Sequence, residues 1–170
     1  NPPRIRITPP QVQARSNYYG TLVVNGESVT ITKILSESKN VYAVGKSVDS
    51  SGNTHAVVMK FNSEGFLIWS KSLSQTVPSL QTKSVEFISL TKAQGNIYVL
   101  GNTNPNETLT AAFNPDIILA KWEENSTGTD ATFQWQRGFA GISGVSRQDY
   151  GTDIAIFGEG VVVSGYTSTN

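Results

Sequence analysis

From Tyr18 onward the chain alternates apolar and polar residues with a period of two. Thr21-Leu22-Val23-Val24 leads into Asn25-Gly26, and Glu27-Ser28-Val29-Thr30-Ile31-Thr32-Lys33-Ile34-Leu35 follows in the same alternation. Such a pattern sends every second side chain to one face of a sheet. Asn-Gly between two alternating runs predicts a tight hairpin, because both residues tolerate positive φ. Beyond Leu35 short strands continue, separated by Ser38-Lys39-Asn40, Asp49-Ser-Ser-Gly-Asn53 and Asn62-Ser-Glu-Gly65. No segment carries the three-to-four spacing of an amphipathic helix, so the pattern predicts an all-β protein.

The strands recur in a fixed order. Asn40-Val-Tyr-Ala-Val-Gly45 is followed by Ala56-Val-Val-Met-Lys-Phe61 and Gly65-Phe-Leu-Ile-Trp-Ser-Lys71. Asn96-Ile-Tyr-Val-Leu-Gly101 is followed by Ile117-Ile-Leu-Ala-Lys-Trp122 and Phe133-Gln-Trp-Gln-Arg137. Gly160-Val-Val-Val-Ser-Gly165 opens a third round, and a further strand precedes each glycine strand, at Val29 to Leu35, Val85 to Leu90 and Thr152 to Phe157. Four short strands repeated at a near-constant interval predict blades of the β-propeller kind, with one blade over about 28–73, a second over about 84–139 and part of a third over 148–170. Gly45, Gly101 and Gly165 stand 56 and 64 residues apart, more than the ~40 to 50 residues of a plain four-stranded blade. The excess falls in polar insertions. A β-sandwich is the alternative; it accounts for the alternation but not for the recurring order.

Residues 1–17 differ in kind. Four of the seven prolines lie in the first ten residues, and each removes a backbone donor and extends its predecessor. This stretch reads as an extended arm or linker, within which Arg4-Ile-Arg-Ile-Thr8 has the alternation of a strand that adds to a neighbouring sheet. Residues 18–170 form the repeat region. A start at Asn1 and an end inside strand-like Tyr166 to Asn170 read as a window of a longer polypeptide.

The composition narrows the chemistry. Thirteen basic and thirteen acidic residues among 170 give no net charge, so the electrostatic footprint of a nucleic-acid or anionic-membrane binder is missing. With no cysteine there is neither a disulfide nor a thiolate nucleophile. Apolar runs are a handful of residues long, far short of the roughly 20 of a spanning helix. His55 stands alone, so no multi-histidine metal site is expected, and it reads as a solvent-facing strand end. Asp116, Glu123, Glu124 and Asp130 are the densest carboxylates, with the character of turn formers and edge-strand charges. The Asp49 loop lacks the alternating carboxylates of a calcium loop and reads as a turn. No catalytic residue, cofactor or metal is assigned.

The repeated residues read as structural. Trp69 and Trp135, in the last strand of each round, each offer on the order of 200 Å² for packing against the next blade. Tyr42 and Tyr98 occupy matching positions, and Gly45, Gly101 and Gly165 read as points of positive φ or of close backbone approach. Lys60, Lys121, Lys71 and Arg137 read as solvated strand ends. The insertions Asn102 to Pro115 and Gly138 to Gln148 hang from one rim, where binding residues on rigid scaffolds usually lie. Asn104, Glu107, Thr108, Arg147 and Tyr150 are therefore the candidate binding residues.

Gly95-Asn-Ile-Tyr-Val-Leu-Gly101, Asp116-Ile-Ile-Leu-Ala-Lys121 and Gly65-Phe-Leu-Ile-Trp69 resemble the words of a bacterial and phage family of β-propeller repeats, over about residues 28–170. The first round departs from them, with His55 where the aspartate is expected. Gly65-Phe-Leu-Ile-Trp69 is also similar to the tryptophan-docking repeat of quinoprotein propellers. The resemblance implies a non-enzymatic structural or adhesive component of a virion, such as a tail, fibre or capsid-associated protein of a tailed, often marine, phage. Its partners are then other protein subunits, in a homo-oligomer or virion. A secreted or cell-surface propeller binding carbohydrate or protein is the alternative, and a fragment of a propeller enzyme the second.

Overall fold

Alternation in the sequence becomes antiparallel ladders in space. The structure, a computed structural model, describes residues 22–24, 26–77, 84–103, 117–139 and 147–169. The first sheet runs β1 (Leu22–Val24), β2 (Glu27–Glu37), β3 (Asn40–Val48), β4 (Thr54–Asn62) and β5 (Leu67–Ser72). A single helical turn, α1 (Leu73–Thr76), follows. The second sheet consists of β6 (Val85–Ala93), β7 (Asn96–Thr103), β8 (Ile117–Glu124) and β9 (Ala131–Phe139), and the third of β10 (Arg147–Phe157) and β11 (Gly160–Thr169). Within each sheet every strand pairs with its neighbour in sequence. The mostly antiparallel β architecture is as the alternation predicts. Among the described residues, none of the sheets closes on itself.

The Asn25-Gly26 hairpin forms as expected: Val24 lies opposite Glu27 and Gly26 adopts φ +85°. It adds β1 as a fifth strand that the repeat pattern does not contain. The α1 turn was likewise not foreshadowed, since four residues are too few to carry a periodic stripe.

The three sheets stack face to face in chain order. Tyr42, Val44, Ala56, Val58 and Trp69 of the first sheet meet Phe87, Ile97, Val99, Ile118 and Trp122 of the second in one buried core. Leu100 and Leu119, on the opposite face of the second sheet, meet Ile154 and partly buried Val161 and Val163 of the third. The second sheet is thus covered on both sides, which is why Ile117-Ile-Leu-Ala120 is apolar without a break. Trp122 is fully buried at the centre of the larger core, edge-on to Phe87 and Phe133 with ring centroids 5.8 and 5.4 Å away.

A bulge recurs at the same place in the first long strand of each sheet. Thr32, Ile88 and Thr152 drop out of the ladders with β3, β7 and β11, next to the residues that face Gly45, Gly101 and Gly165. The bulge drives a carbonyl into the partner strand. A Cβ at Gly45 would collide with the Thr30 carbonyl, one at Gly165 with the Tyr150 carbonyl, and one at Gly101 would sit 2.7 Å from the Glu86 carbonyl oxygen. Of the two readings of the repeated glycines, close backbone approach holds and positive φ does not.

Candidate functional site

The densest polar chemistry lies between the first and second sheets. β8 continues two residues past Trp122, and its last residue, Glu124, reaches across to the first sheet. Its Oε1 accepts from the Lys60 ammonium at 2.7 Å, and its Oε2 accepts from the Tyr42 hydroxyl at 2.8 Å. The Lys92 ammonium lies 3.4 Å from the same Oε2 and 2.5 Å from Glu37 Oε2. Lys60 also donates to the Gly128 carbonyl at 2.7 Å. The Lys60 and Glu124 side chains are only 5% and 7% exposed. Lys60 and Lys92 lie near the Tyr42 ring, 5.4 and 5.1 Å from its centroid.

Burial alone would raise the Glu124 pKa. Bonds from Lys60 and Tyr42, with the charges of Lys60 and Lys92, outweigh it and hold the carboxyl below its ordinary range. Burial, followed by the bond to Glu124, pushes the Tyr42 hydroxyl well above its ordinary value. Both groups are fixed in the forms that bond to each other, a carboxylate acceptor and a phenol donor. The arrangement clamps two sheets together.

Equivalent residues of successive sheets also meet. Lys33, Ser89 and Asp153 each stand just past the bulge of their strand, and both Lys33 Nζ at 3.0 Å and Ser89 Oγ at 2.5 Å donate to Asp153 Oδ1. The Ser89 and Lys33 bonds, with the Ile154 amide, lower the Asp153 pKa. Lys46 and Asn102, each one residue past its glycine, bridge to the following sheet: Lys46 to Glu86 at 2.8 Å, and Asn102 to both backbone groups of Gly151 at 2.9 and 3.2 Å. The bridges thus leave from matching positions and land one residue apart, on Glu86 in the second sheet and on Gly151 in the third.

The chain matches no family model and no curated protein. The chemistry is therefore read from its own residues. Among the described residues, no group of three or more His, Asp or Glu side chains is placed to hold a metal ion.

Several sequence expectations change in place or character. Lys60 is not a solvated strand end but a buried partner of Glu124, and Lys71 pairs with Asp130 at 2.7 Å. Lys121 is half-buried over the Tyr98 ring, while Arg137 is exposed near the end of β9, as expected, and lies over the Trp135 ring. His55 is not solvent-facing: its side chain is 13% exposed and bonds to Asp49 at 3.2 Å. Asp49 also accepts from the Ser51 and Asn53 amides and the Asn53 side chain, so its loop is the turn expected. Trp69 is buried against Tyr42, and Trp135 is half-buried against Tyr98, so neither presents a bare ring for stacking. Glu123 is exposed at the β8 end.

Of the candidate binding residues, Asn104, Glu107 and Thr108 lie outside the described residues, as do Asp116 and the arm over 1–17. Arg147 and Tyr150 belong to β10 rather than to a rim loop, because β10 begins earlier than its apolar pattern suggests. Tyr150 stacks on Tyr166 with centroids 5.1 Å apart. The Glu124 clamp went unrecognised, although a signal for it exists. Lys60-Phe-Asn-Ser-Glu-Gly65 and Lys121-Trp-Glu-Glu-Asn-Ser-Thr-Gly128 end in the same turn, and the two inserted residues of the second are Glu123 and Glu124. In both, the Asn side chain accepts backbone amides of its own loop.

Proposed function

We propose that the chain is a run of β-propeller-like blades that serves as a non-enzymatic structural or adhesive component of a larger assembly. A virion part, such as a phage tail, fibre or capsid-associated subunit, is the form that the resemblance of its repeat words favours. The observation that carries the reading is the recurrence of one joint. The same glycine and bulge recur in each sheet, and the residue one past the glycine, Lys46 or Asn102, bridges to the next sheet. Propellers are built by radial repetition of this kind.

The carboxylates in the joints act as ties between strands and sheets, which supports a mechanical role for them. The third sheet has two strands among the described residues, fewer than the four of the second, and further strands of a longer chain or of a neighbour would complete it. The test is the intact mass of the native protein, measured with its size in solution by denaturing mass spectrometry and light scattering. The expected result is a chain heavier than 18.4 kDa, or that chain within a defined oligomer or particle. A native 18.4 kDa species that stays monomeric would sink the reading.

A further inference from the structure

Lys46 and Glu86 bridge the first two sheets and also line a cleft of about 190 Å³. Thr54 at the start of β4, Asn102 and Thr103 at the end of β7, and Tyr150 of β10 line it as well, so three successive sheets contribute. Asn102 spends its carboxamide on the backbone of Gly151, which fixes the strand next to Tyr150. Tyr150 itself is half-buried and stacks on Tyr166, with ring centroids 5.1 Å apart. Val85 is the one aliphatic residue of the lining.

The polar groups of this cleft are only partly used within the chain. An ammonium carries three donors, and an ionised carboxylate about four acceptor sites. Lys46 donates once, to Glu86 Oε2 at 2.8 Å, and neither side chain bonds to anything else among the described residues. Their side chains are 38% and 37% exposed, so the remaining sites are open to a ligand. The Thr54 hydroxyl also bonds to none of the described residues.

The ion pair decides the class of ligand. Its charges cancel, so a phosphate, a carboxylate or an amine would meet one favourable and one unfavourable charge side by side. An apolar ligand would strip water from two ions and find little wall to lie on. A neutral polyol meets neither obstacle. Hydroxyls on adjacent carbons stand about one hydrogen-bond length apart, which is the spacing of Lys46 Nζ and Glu86 Oε2. One hydroxyl oxygen then accepts from the ammonium while its neighbour donates to the carboxylate. Thr54 can serve a third hydroxyl as donor or acceptor, and the Tyr150 ring offers apolar surface for the C–H bonds of a sugar ring. The volume lies below the ~300–1,000 Å³ of sites for drug-sized ligands, so it suits a single ring. We infer that this cleft binds one neutral sugar residue, with the Lys46–Glu86 pair holding two adjacent hydroxyls. The inference rests on the adhesive side of the assembly reading and gives it a ligand class.

Methyl glycosides of glucose, galactose and mannose, titrated into the isotope-labelled 170-residue chain and followed by amide NMR shifts, test this. At least one should shift the amides of Lys46, Glu86 and Tyr150 to saturation, with a Kd on the order of 1 mM for so small a ligand. Inorganic phosphate and methylammonium should bind there more weakly than that glycoside. Lys46→Met should weaken sugar binding about tenfold, the scale of one charged hydrogen bond, and Thr54→Val about fivefold, the scale of a neutral one. Thr54→Val breaks no bond to the described residues and keeps a branched side chain suited to a strand, so misfolding does not mimic its effect. No saturable shift with any of the three glycosides, shifts that map away from the cleft, or tighter binding of phosphate or methylammonium overturns the inference. Equal sugar affinity in Thr54→Val, Lys46→Met and the parent also overturns it. A defined particle whose chain ignores all three glycosides rejects the cleft alone, and a native monomer that binds one in the cleft rejects the assembly reading alone.

Discussion

Replacing Gly45 with alanine asks whether the recurring bulge is as tight as its geometry implies. Gly45 and Gly101 have ordinary φ values, so the obstacle to a side chain at either is space and not backbone strain. At Gly45 the new Cβ meets the backbone of Thr30 and Ile31, and at Gly101 it meets the Glu86 carbonyl oxygen at 2.7 Å and the Phe87 ring at 2.9 Å. An aromatic ring can tilt away, whereas a carbonyl inside a ladder moves only with its strand. Overpacking of a closed interior costs about 1–3 kcal/mol, and a ladder bond lost when the bulge opens adds about 1 kcal/mol. Alanine restricts the unfolded chain, which returns about 0.4–1 kcal/mol. The net expectation is about 2–3 kcal/mol for Gly45→Ala and about 1–2 kcal/mol for Gly101→Ala. Gly160→Ala is the control, because its nearest neighbour is 3.8 Å away, and it should change stability by less than about 0.5 kcal/mol. Urea unfolding followed by the fluorescence of buried Trp69 and Trp122 reads all three, as midpoint shifts at a common slope. If Gly45→Ala is as stable as Gly160→Ala, or costs less than Gly101→Ala, the close-approach account fails.

Lys60→Met and Glu124→Gln should each destabilise by about 3–5 kcal/mol, because each strands a buried partner. Their combination should cost less than the sum of the two by about 1–3 kcal/mol, and strict additivity in a double-mutant cycle would refute the clamp. Acid should loosen the joints: Glu124, Asp130 and Asp153 all have folded-state pKa values held below their ordinary range. Stability from a lowered carboxyl is fully present above its unfolded pKa and is lost as pH falls through the folded one. The melting temperature should therefore be flat near neutrality and fall below about pH 4, more shallowly in Glu124→Gln; equal acid slopes for parent and variant would count against it.

Much of the fold was legible because it is written in local periods. Alternation marked the strands: the runs read as four strands each over 28–73 and 84–139 lie in ladders over Glu27–Ser72 and Val85–Phe139, with β1 added outside the first. What stayed hidden depends on residues distant in sequence. Lys60 looks like a strand end until Glu124, 64 residues later, arrives beside it. Trp122 looks no more important than Trp135. The β8–β9 ladder and the stacking of sheets decide that Trp122 faces the larger core and Trp135 the smaller one. His55 is drawn inward by Asp49 across a turn whose shape comes from side-chain bonds, which no hydrophobic period records. Of the binding residues chosen from composition, Arg147 and Tyr150 fall in β10, because a polar insertion signals a loop but not where the next strand begins.

Repeated sheets carry a hazard that unique ones do not, since any one can dock where its neighbour belongs. The trio of Lys33, Ser89 and Asp153 bears on that hazard. Matching positions hold a cation, a neutral hydroxyl and an anion, in that order along the chain. Lys33 and Ser89 both donate to one oxygen of Asp153, so the trio sets a single anion between a cation and a hydroxyl. A homogeneous trio, three lysines or three aspartates, would repel itself in every arrangement. Divergence at that position thus lets copies of one bulged strand converge where identical charged copies would repel.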